Sequence, residues 1–393
     1  MGNPVLATSS AGGTQQTPAG GGSKNASAPI VPFIRASNEH REPCGIDKQV
    51  TSTASDQDLG VFDIPAYGYV RALWIYVTTP TNLAASGAGL AYHEDAPFNL
   101  LKNIFLQEPN GAVLHQYMSG YDLFLADKYG GYRGENDPRG SAIFSLSSSA
   151  SAYGTTFALR IPIEIDMRDG LGSLPNQNAA AMFKLRMALQ GESTWVTAGT
   201  VTTHPVFRVR VSMECWDQPD TNGPLGPQQT MPPAVNTTQY WTATQYQVNA
   251  GQNSIRLTRV GNYIRMLGFV FRTTTGRVTA STGGEYNMPD PIYLYWDTRP
   301  LDVFYLDQWR ATMCERYGYG SNGKALEAAG GLDKGVYFYD FAHEFSGKVG
   351  MENRDLWLPT LQSTRLELQG SFGSAGTLTV LTNDVSVAGA VFL

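Results

Sequence analysis

Residues 69–79 read Tyr-Val-Arg-Ala-Leu-Trp-Ile-Tyr-Val-Thr-Thr, and residues 263–273 read Tyr-Ile-Arg-Met-Leu-Gly-Phe-Val-Phe-Arg-Thr. The two stretches lie 194 residues apart, match at four of eleven positions and keep apolar character at most others. Both are rich in the β-branched and aromatic residues that suit a pleated, half-buried surface. A long repeat of this kind means that one unit has been used twice. Working outward, the spacing around the repeat agrees. Ile104 precedes a helix candidate ending at Tyr129-Gly130 by 25 residues, and Leu294 precedes one ending at Tyr317-Gly318 by 23.

The helix candidates follow from apolar spacing. Leu306, Trp309, Met313 and Tyr317 recur at intervals of 3, 4 and 4, and Tyr117, Tyr121, Leu125 and Tyr129 at intervals of 4. Each set makes one face of a helix, and each run ends at Gly, which accepts the left-handed conformation that stops a helix. The intervening segments alternate with period 2. Phe157, Leu159, Ile161, Ile163 and Ile165 alternate with Ala158, Arg160, Pro162 and Glu164. Phe183, Leu185, Met187 and Leu189 form a second such run, and Phe207, Val209, Val211, Met213 and Cys215 a third. Each predicts a strand with one face in a core, and Pro162 predicts an edge or a bulge. In the second half, strands are predicted over residues 263–273, 292–296, 336–341, 364–369, 377–381 and 385–391.

Each repeat of roughly 160–175 residues therefore suits an antiparallel roll of eight strands in two facing sheets. The expected fold class is all-β: two tandem eight-stranded jelly rolls, each with a short helix in an interstrand loop. The predicted boundaries are a flexible arm over residues 1–45, a first roll over 46–218, a linker over 219–234 and a second roll over 235–393. Residues 219–233 hold five prolines, hence the linker. The first thirty residues are mostly Gly, Ser, Ala, Thr and Gln, which bury too little surface to offset their ordering entropy. Ile30, Val31, Phe33 and Ile34 are the arm's one sticky element and a candidate docking segment.

Composition narrows function. The chain has 393 residues, a net charge of −6, and only 16% charged residues against a usual figure near 25%. An acidic balance argues against sequence-specific nucleic-acid binding, which needs a basic footprint. Cys44, Cys215 and Cys314 are odd in number and far apart, so no disulfide framework is expected. No run of 18 apolar residues predicts a membrane-spanning helix, and no basic segment followed by an apolar one predicts a secretory leader.

No catalytic motif stands out, and no cofactor or metal site is predicted. Residues 318–324 match GxxxxGK, but Ala325 replaces the required hydroxyl and a helix rather than a strand precedes them. The five histidines show no metal spacing. His93-Glu94-Asp95 reads as a surface loop, and the Glu164/Asp166 pair as solvated carboxylates. Arg256, Arg259, Arg265, Arg272 and Arg277 lie in 22 residues with no acid between them. They are candidates for membrane or phosphate contact, or else outward residues paired with acids elsewhere in an acidic chain.

Several segments resemble the double jelly-roll major capsid proteins of tectivirus-type bacteriophages. These are residues 59–65 leading into the 70–77 strand; residues 97–104; Glu108-Pro109-Asn110-Gly111 followed by a helix from His115; residues 297–302; the helix through Trp309; and residues 334–340. The matches keep their order across residues 59–345. One departure is that residues 1–29 are too rich in Gly and Ser for the amphipathic N-terminal helix common in that family. The resemblance implies a structural, non-enzymatic protein of the virion, assembled in a host bacterial cytoplasm. It implies a homotrimer with six rolls, a pseudo-hexagonal tile of an icosahedral shell. Neighbouring capsomers, penton or vertex proteins, minor capsid proteins and an internal lipid membrane are the implied partners. The loops at 78–97, 130–154 and 272–291 are candidates for outer towers or intersubunit contacts. Two rivals are a two-roll glycan-binding or glycan-hydrolysing protein and a minor or vertex protein of a virus.

Overall fold

The period-2 segments form strands in a computed structural model that describes residues 28–79, 84–132, 138, 156–166, 168–224, 226–231, 233, 237–274, 276–277, 287–317, 333, 335–341, 354–360, 362 and 364–386. The first roll is built from β1 (Glu39–Thr51), β2 (Gln57–Asp63), β3 (Tyr69–Thr78), β4 (Leu101–Gln107), β5 (Val113–Ser119), β6 (Thr156–Pro162), β7 (Lys184–Leu189) and β8 (Val206–Trp216). The second is built from β9 (Thr238–Val248), β10 (Gly251–Leu257), β11 (Tyr263–Thr273), β12 (Ile292–Trp296), β13 (Arg299–Phe304), β14 (Val336–Asp340), β15 (Leu366–Phe372) and β16 (Gly376–Ser386). Helix α1 (Gly120–Tyr129) follows β5, and helix α2 (Leu306–Tyr317) follows β13, the same place in each roll.

The sheet orders are copies. The first roll pairs β1-β8-β3-β6 against β2-β7-β4-β5, and the second pairs β9-β16-β11-β14 against β10-β15-β12-β13. Each is a jelly roll, and the fold is a double jelly roll. The two rolls share a sheet. β5 pairs in parallel with β9, Trp241 facing His115 and Thr242 facing Gln116, so β2-β7-β4-β5 runs on into β9-β16-β11-β14.

Local chemistry explains the turns. Gly111 closes the β4–β5 hairpin at φ +90°, where an L side chain is strained, while the Asn110 Oδ1 accepts the Ala112 amide at 2.8 Å. Gly251, at φ +96°, does the same between β9 and β10. Ser119 caps α1: its hydroxyl accepts the Tyr121 amide, and Asp122 accepts the Ser119 amide at 3.1 Å. Leu73, Ile75, Val77, Leu159 and Val209 fill the first core, and Leu294, Leu368, Leu378 and Val380 the second. The apolar face read for α2 is buried throughout, with Trp309 edge-on to Phe269.

Several boundaries move. The first roll begins at Glu39, ahead of residue 46. The helix expected from His115 starts at Gly120; His115 and Tyr117 belong to β5. The misreading has a cause: all ten residues of α1 are buried, so no polar face marks its start. The strand over 157–165 ends at Pro162, because the Ile163 and Glu164 amides both turn to the Arg71 carbonyl, at 3.0 and 2.8 Å. β6 pairs only with β3 among the described residues, the edge that Pro162 predicted. The two last predicted strands are one, β16, with residues 387–391 outside the described residues. The linker is partly structured: Gln229–Thr230 pairs in parallel with Ile30–Val31.

Candidate functional site: the junction between the rolls

The polar chemistry of this chain concentrates where the rolls meet. From the first roll come Glu94 and Asp95, in the loop before β4, and Tyr121, Asp122, Lys128 and Tyr129 of α1. From the second come Arg272 at the end of β11, Arg277 beyond it, and Asp333 ahead of β14. Asp95 holds Arg277 Nε at 2.8 Å and Arg272 at 3.1 Å; Asp122 lies 3.9 Å from Arg272. The Arg277 guanidinium stands 4.7 Å from the centre of the Tyr121 ring. The Tyr121 and Tyr129 hydroxyls donate to Asp333 at 3.0 and 2.9 Å, and Lys128 pairs with the same carboxylate.

Burial sets the electrostatics. It pushes Asp95 upward, but Arg272 and Arg277 outweigh it and hold the carboxyl below the usual range. Asp122, buried beside Arg272 with Asp95 adding repulsion, is raised to about 6. Charges taken out of water must be paired, and here each roll supplies counter-ions for the other. Separating the rolls would strip both sets of partners.

The rest of the junction is close-packed and hydrogen-bonded. Tyr129 stacks on Phe338 at 4.5 Å and meets Tyr317 edge-on at 5.0 Å. Buried Gln239 donates to the Pro162 carbonyl and accepts from Tyr132. Arg354 of the second roll pairs with Asp166 and Asp169 of the first. His115 sits in the shared sheet with burial lowering it to about 3, so it is neutral.

The sequence-level candidates land as follows. The five arginines do not form one cationic face. Arg265 and Arg277 are buried, at 0% and 4% exposure, and Arg272 is spent on Asp95. Arg259 pairs with buried Asp384 at 2.9 Å; Arg256 is the exposed member. The reading in which these arginines meet acids elsewhere in the chain describes Arg259, Arg272 and Arg277, while buried Arg265 bonds the Asn383 amide oxygen and the Gly130 carbonyl. Of the arm residues, Ile30 is exposed, Val31 and Ile34 are half-buried, and Phe33 packs on its own first roll against Tyr69 and Trp216. Residues 318–324, His343, most of the 130–154 loop and half of the 272–291 loop lie outside the described residues. In the 78–97 loop, Ala84–Tyr92 pairs antiparallel with Val196–Thr203.

Two expectations are corrected. Glu164 and Asp166 are not solvated: each is buried and tied to arginine, Glu164 to Arg71 and Asp166 to Arg168 and Arg354. His93-Glu94-Asp95 is not a bland surface loop, since Asp95 anchors the junction. Ser52 and Glu192, which carry no sequence motif, gather with His204, one of the five histidines. The Ser52 hydroxyl and the His204 ring both bond Glu192, rather than each other, so the histidine is not placed to take the serine proton. Cys44 and Cys215 are free, buried thiols raised to about 12, foremost by burial. Among the described residues no helix is long and apolar enough to cross a membrane.

No protein-family model matches the chain, and no curated protein matches it in sequence. Solved structures do match in fold. The major capsid protein of Sulfolobus Turreted Icosahedral Virus is 12% identical, with a TM-score of 0.59 over 89% of this chain and 97% of that one. PBCV-1 VP54, fitted into a reconstruction of the virophage Sputnik, is 10% identical, with a TM-score of 0.58 over 90% and 95%. The major capsid protein P2 of Bacteriophage PM2 is 9% identical, with a TM-score of 0.51 over 90% and 99%.

Proposed function

We propose that this chain is a viral major capsid protein whose work is assembly rather than catalysis. The observation that carries the reading is the junction. A shared sheet and a buried ionic network weld two rolls into one block, and the block matches capsid proteins along nearly the full length of both chains. A shell needs tiles whose faces hold fixed angles, and buried, mutually dependent charge pairs hold the two rolls in one register.

The finer reading rests on the sequence resemblance. Three copies form a homotrimeric, pseudo-hexagonal capsomer of an icosahedral phage shell of the tectivirus type, over an internal membrane. Neighbouring capsomers, vertex proteins and minor proteins are its partners in the virion, and the host bacterial cytoplasm is where it assembles. The glycan-hydrolase alternative asked for facing acids in a cleft; the pair it singled out, Glu164 and Asp166, is committed to arginines. Light scattering of the purified chain tests the proposal. A species near 128 kDa, three chains of 42.7 kDa, is expected, followed by hexagonal outlines in electron micrographs. A chain that stays at the mass of one copy under all conditions sinks the reading.

A further inference from the structure

The seam inside the chain has a second counterpart whose two edges are unpaired among the described residues. Topology makes β1 the equivalent of β9, and β13 the equivalent of β5. Yet β9 and β5 are paired with each other, whereas β1 pairs only with β8 and β13 only with β12 among the described residues. Long open edges are liabilities that folded proteins cover or charge.

Register fixes which residues correspond. Tyr69 and Tyr263 are repeat partners; Tyr69 lies opposite Trp216, which faces Glu39, and Tyr263 lies opposite Val385, which faces Gln239. Glu39 therefore corresponds to Gln239, and Arg41 to Trp241. Ser119 and Tyr305 each directly precede a helix, so His115 corresponds to Leu301, Tyr117 to Val303 and Val113 to Arg299. Burial then differs at matched sites. Tyr117 and Trp241 are at 0% exposure, but their counterparts differ: Val303 is at 39% and the Arg41 side chain at 75%. The residues that the internal seam covers are uncovered in their copies.

We propose that the β13 edge of one copy of this chain docks in parallel on the β1 edge of a second copy, repeating the β5–β9 seam between molecules. The inference rests on the trimeric capsid reading, since applying the roll-to-roll step again passes from one chain to the next. The same register sets Arg41 beside Leu301 and Glu39 beside Arg299 of the other copy, the latter an opposite-charge pair. The difference in composition suits the difference in timing. Trp241 and Ala243 enter their seam as the chain folds, whereas Glu39, Arg41 and Glu42 keep β1 soluble until a partner arrives.

Cysteine pairing in the full chain tests this. Adjacent strands lie about 4.8 Å apart, within disulfide reach. The double variant Arg41→Cys/Leu301→Cys, oxidised after assembly, is expected to give covalent two- and three-chain species on a denaturing gel, and neither single variant to do so. In the unmodified chain, backbone amides of residues 39–42 and 301–305 are expected to exchange more slowly in the assembled form than in the one-chain form. A three-chain mass with no such crosslink and no such protection overturns the docking edge and leaves the capsid reading standing. A chain that never exceeds one-copy mass overturns both.

Discussion

Arg71 and Arg265 occupy the same position in the two rolls and do different work there. Both are bulged out of their ladders: Val70 and Ala72 face the consecutive residues Cys215 and Glu214, and Ile264 and Met266 face Asp384 and Asn383. Both guanidiniums are buried. Arg71 stays within its roll, bonding Glu164 at 2.8 Å and lying 4.2 Å over the Trp216 ring. Arg265 bonds Asn383 at 3.0 Å and reaches across to the Gly130 carbonyl, just past α1, at 2.9 Å. One backbone device thus serves two ends. In the first roll it neutralises a buried carboxylate, and in the second it ties the roll to its neighbour.

Arg71→Met breaks the comparison hardest. It leaves Glu164 buried without its counter-ion, which costs about 3–5 kcal/mol at neutral pH. Burial already raises Glu164 against the pull of Arg71. Without Arg71 the carboxyl rises further, so protonation relieves the loss as pH falls. Denaturant unfolding should show a destabilisation that shrinks between pH 7.5 and pH 5. A loss that is the same at both would mean that Glu164 is not the group left stranded.

Arg265→Met is the milder half of the pair. It leaves the amide oxygen of Asn383 and the carbonyl of Gly130 without their donor, at about 1–3 kcal/mol. Neither of these two acceptors titrates, so the part of the loss that they carry should not change with pH. A loss equal to that of Arg71→Met, with the same pH slope, would erase the distinction between the two arginines.

Asp122 sharpens the contrast from the junction side. Its carboxyl titrates at about 6 in the folded chain and at about 4 when unfolded. Between those values the folded chain holds a proton that the unfolded chain has released. Stability therefore falls as pH rises through that window and levels off above it. Asp122→Asn keeps an oxygen for the Ser119 amide and removes the slope. The variant is expected to match the parent near pH 4 and to exceed it at pH 7 by on the order of 1 kcal/mol. A stability difference between Asp122→Asn and the parent that is the same at pH 4 and at pH 7 would contradict this.

Much of the fold could be read from the chain, because alternation and repetition are local signals. The 194-residue repeat even contained the bulge, since Arg71 and Arg265 form one of its four identical positions. What could not be read depends on partners distant in sequence. Asp95 looks like one residue of a polar loop until Arg272 and Arg277, some 180 positions away, arrive beside it. The start of α1 was hidden because the second roll buries the face that would otherwise be polar. Ser119 and Asp122 did carry a capping signal for it, which apolar spacing alone overrode.

Arg256→Ala should have the smallest effect, and that is its value. Arg256 faces outward on β10 across from Glu367, but Glu367 is already paired with Arg365 at 2.7 Å. Removing an exposed guanidinium whose cross-strand acid has another partner changes stability by less than about 0.5 kcal/mol. By type and sequence position Arg256 and Arg265 look alike, so only burial separates them. If Arg256→Ala leaves the unfolding midpoint unchanged while Arg265→Met shifts it, the run from Arg256 to Arg277 divides by partner. If Arg256→Ala instead lowers affinity for vesicles of anionic lipid at unchanged stability, that one residue retains the phosphate-contact role that its four neighbours, bonded internally, are not free to play.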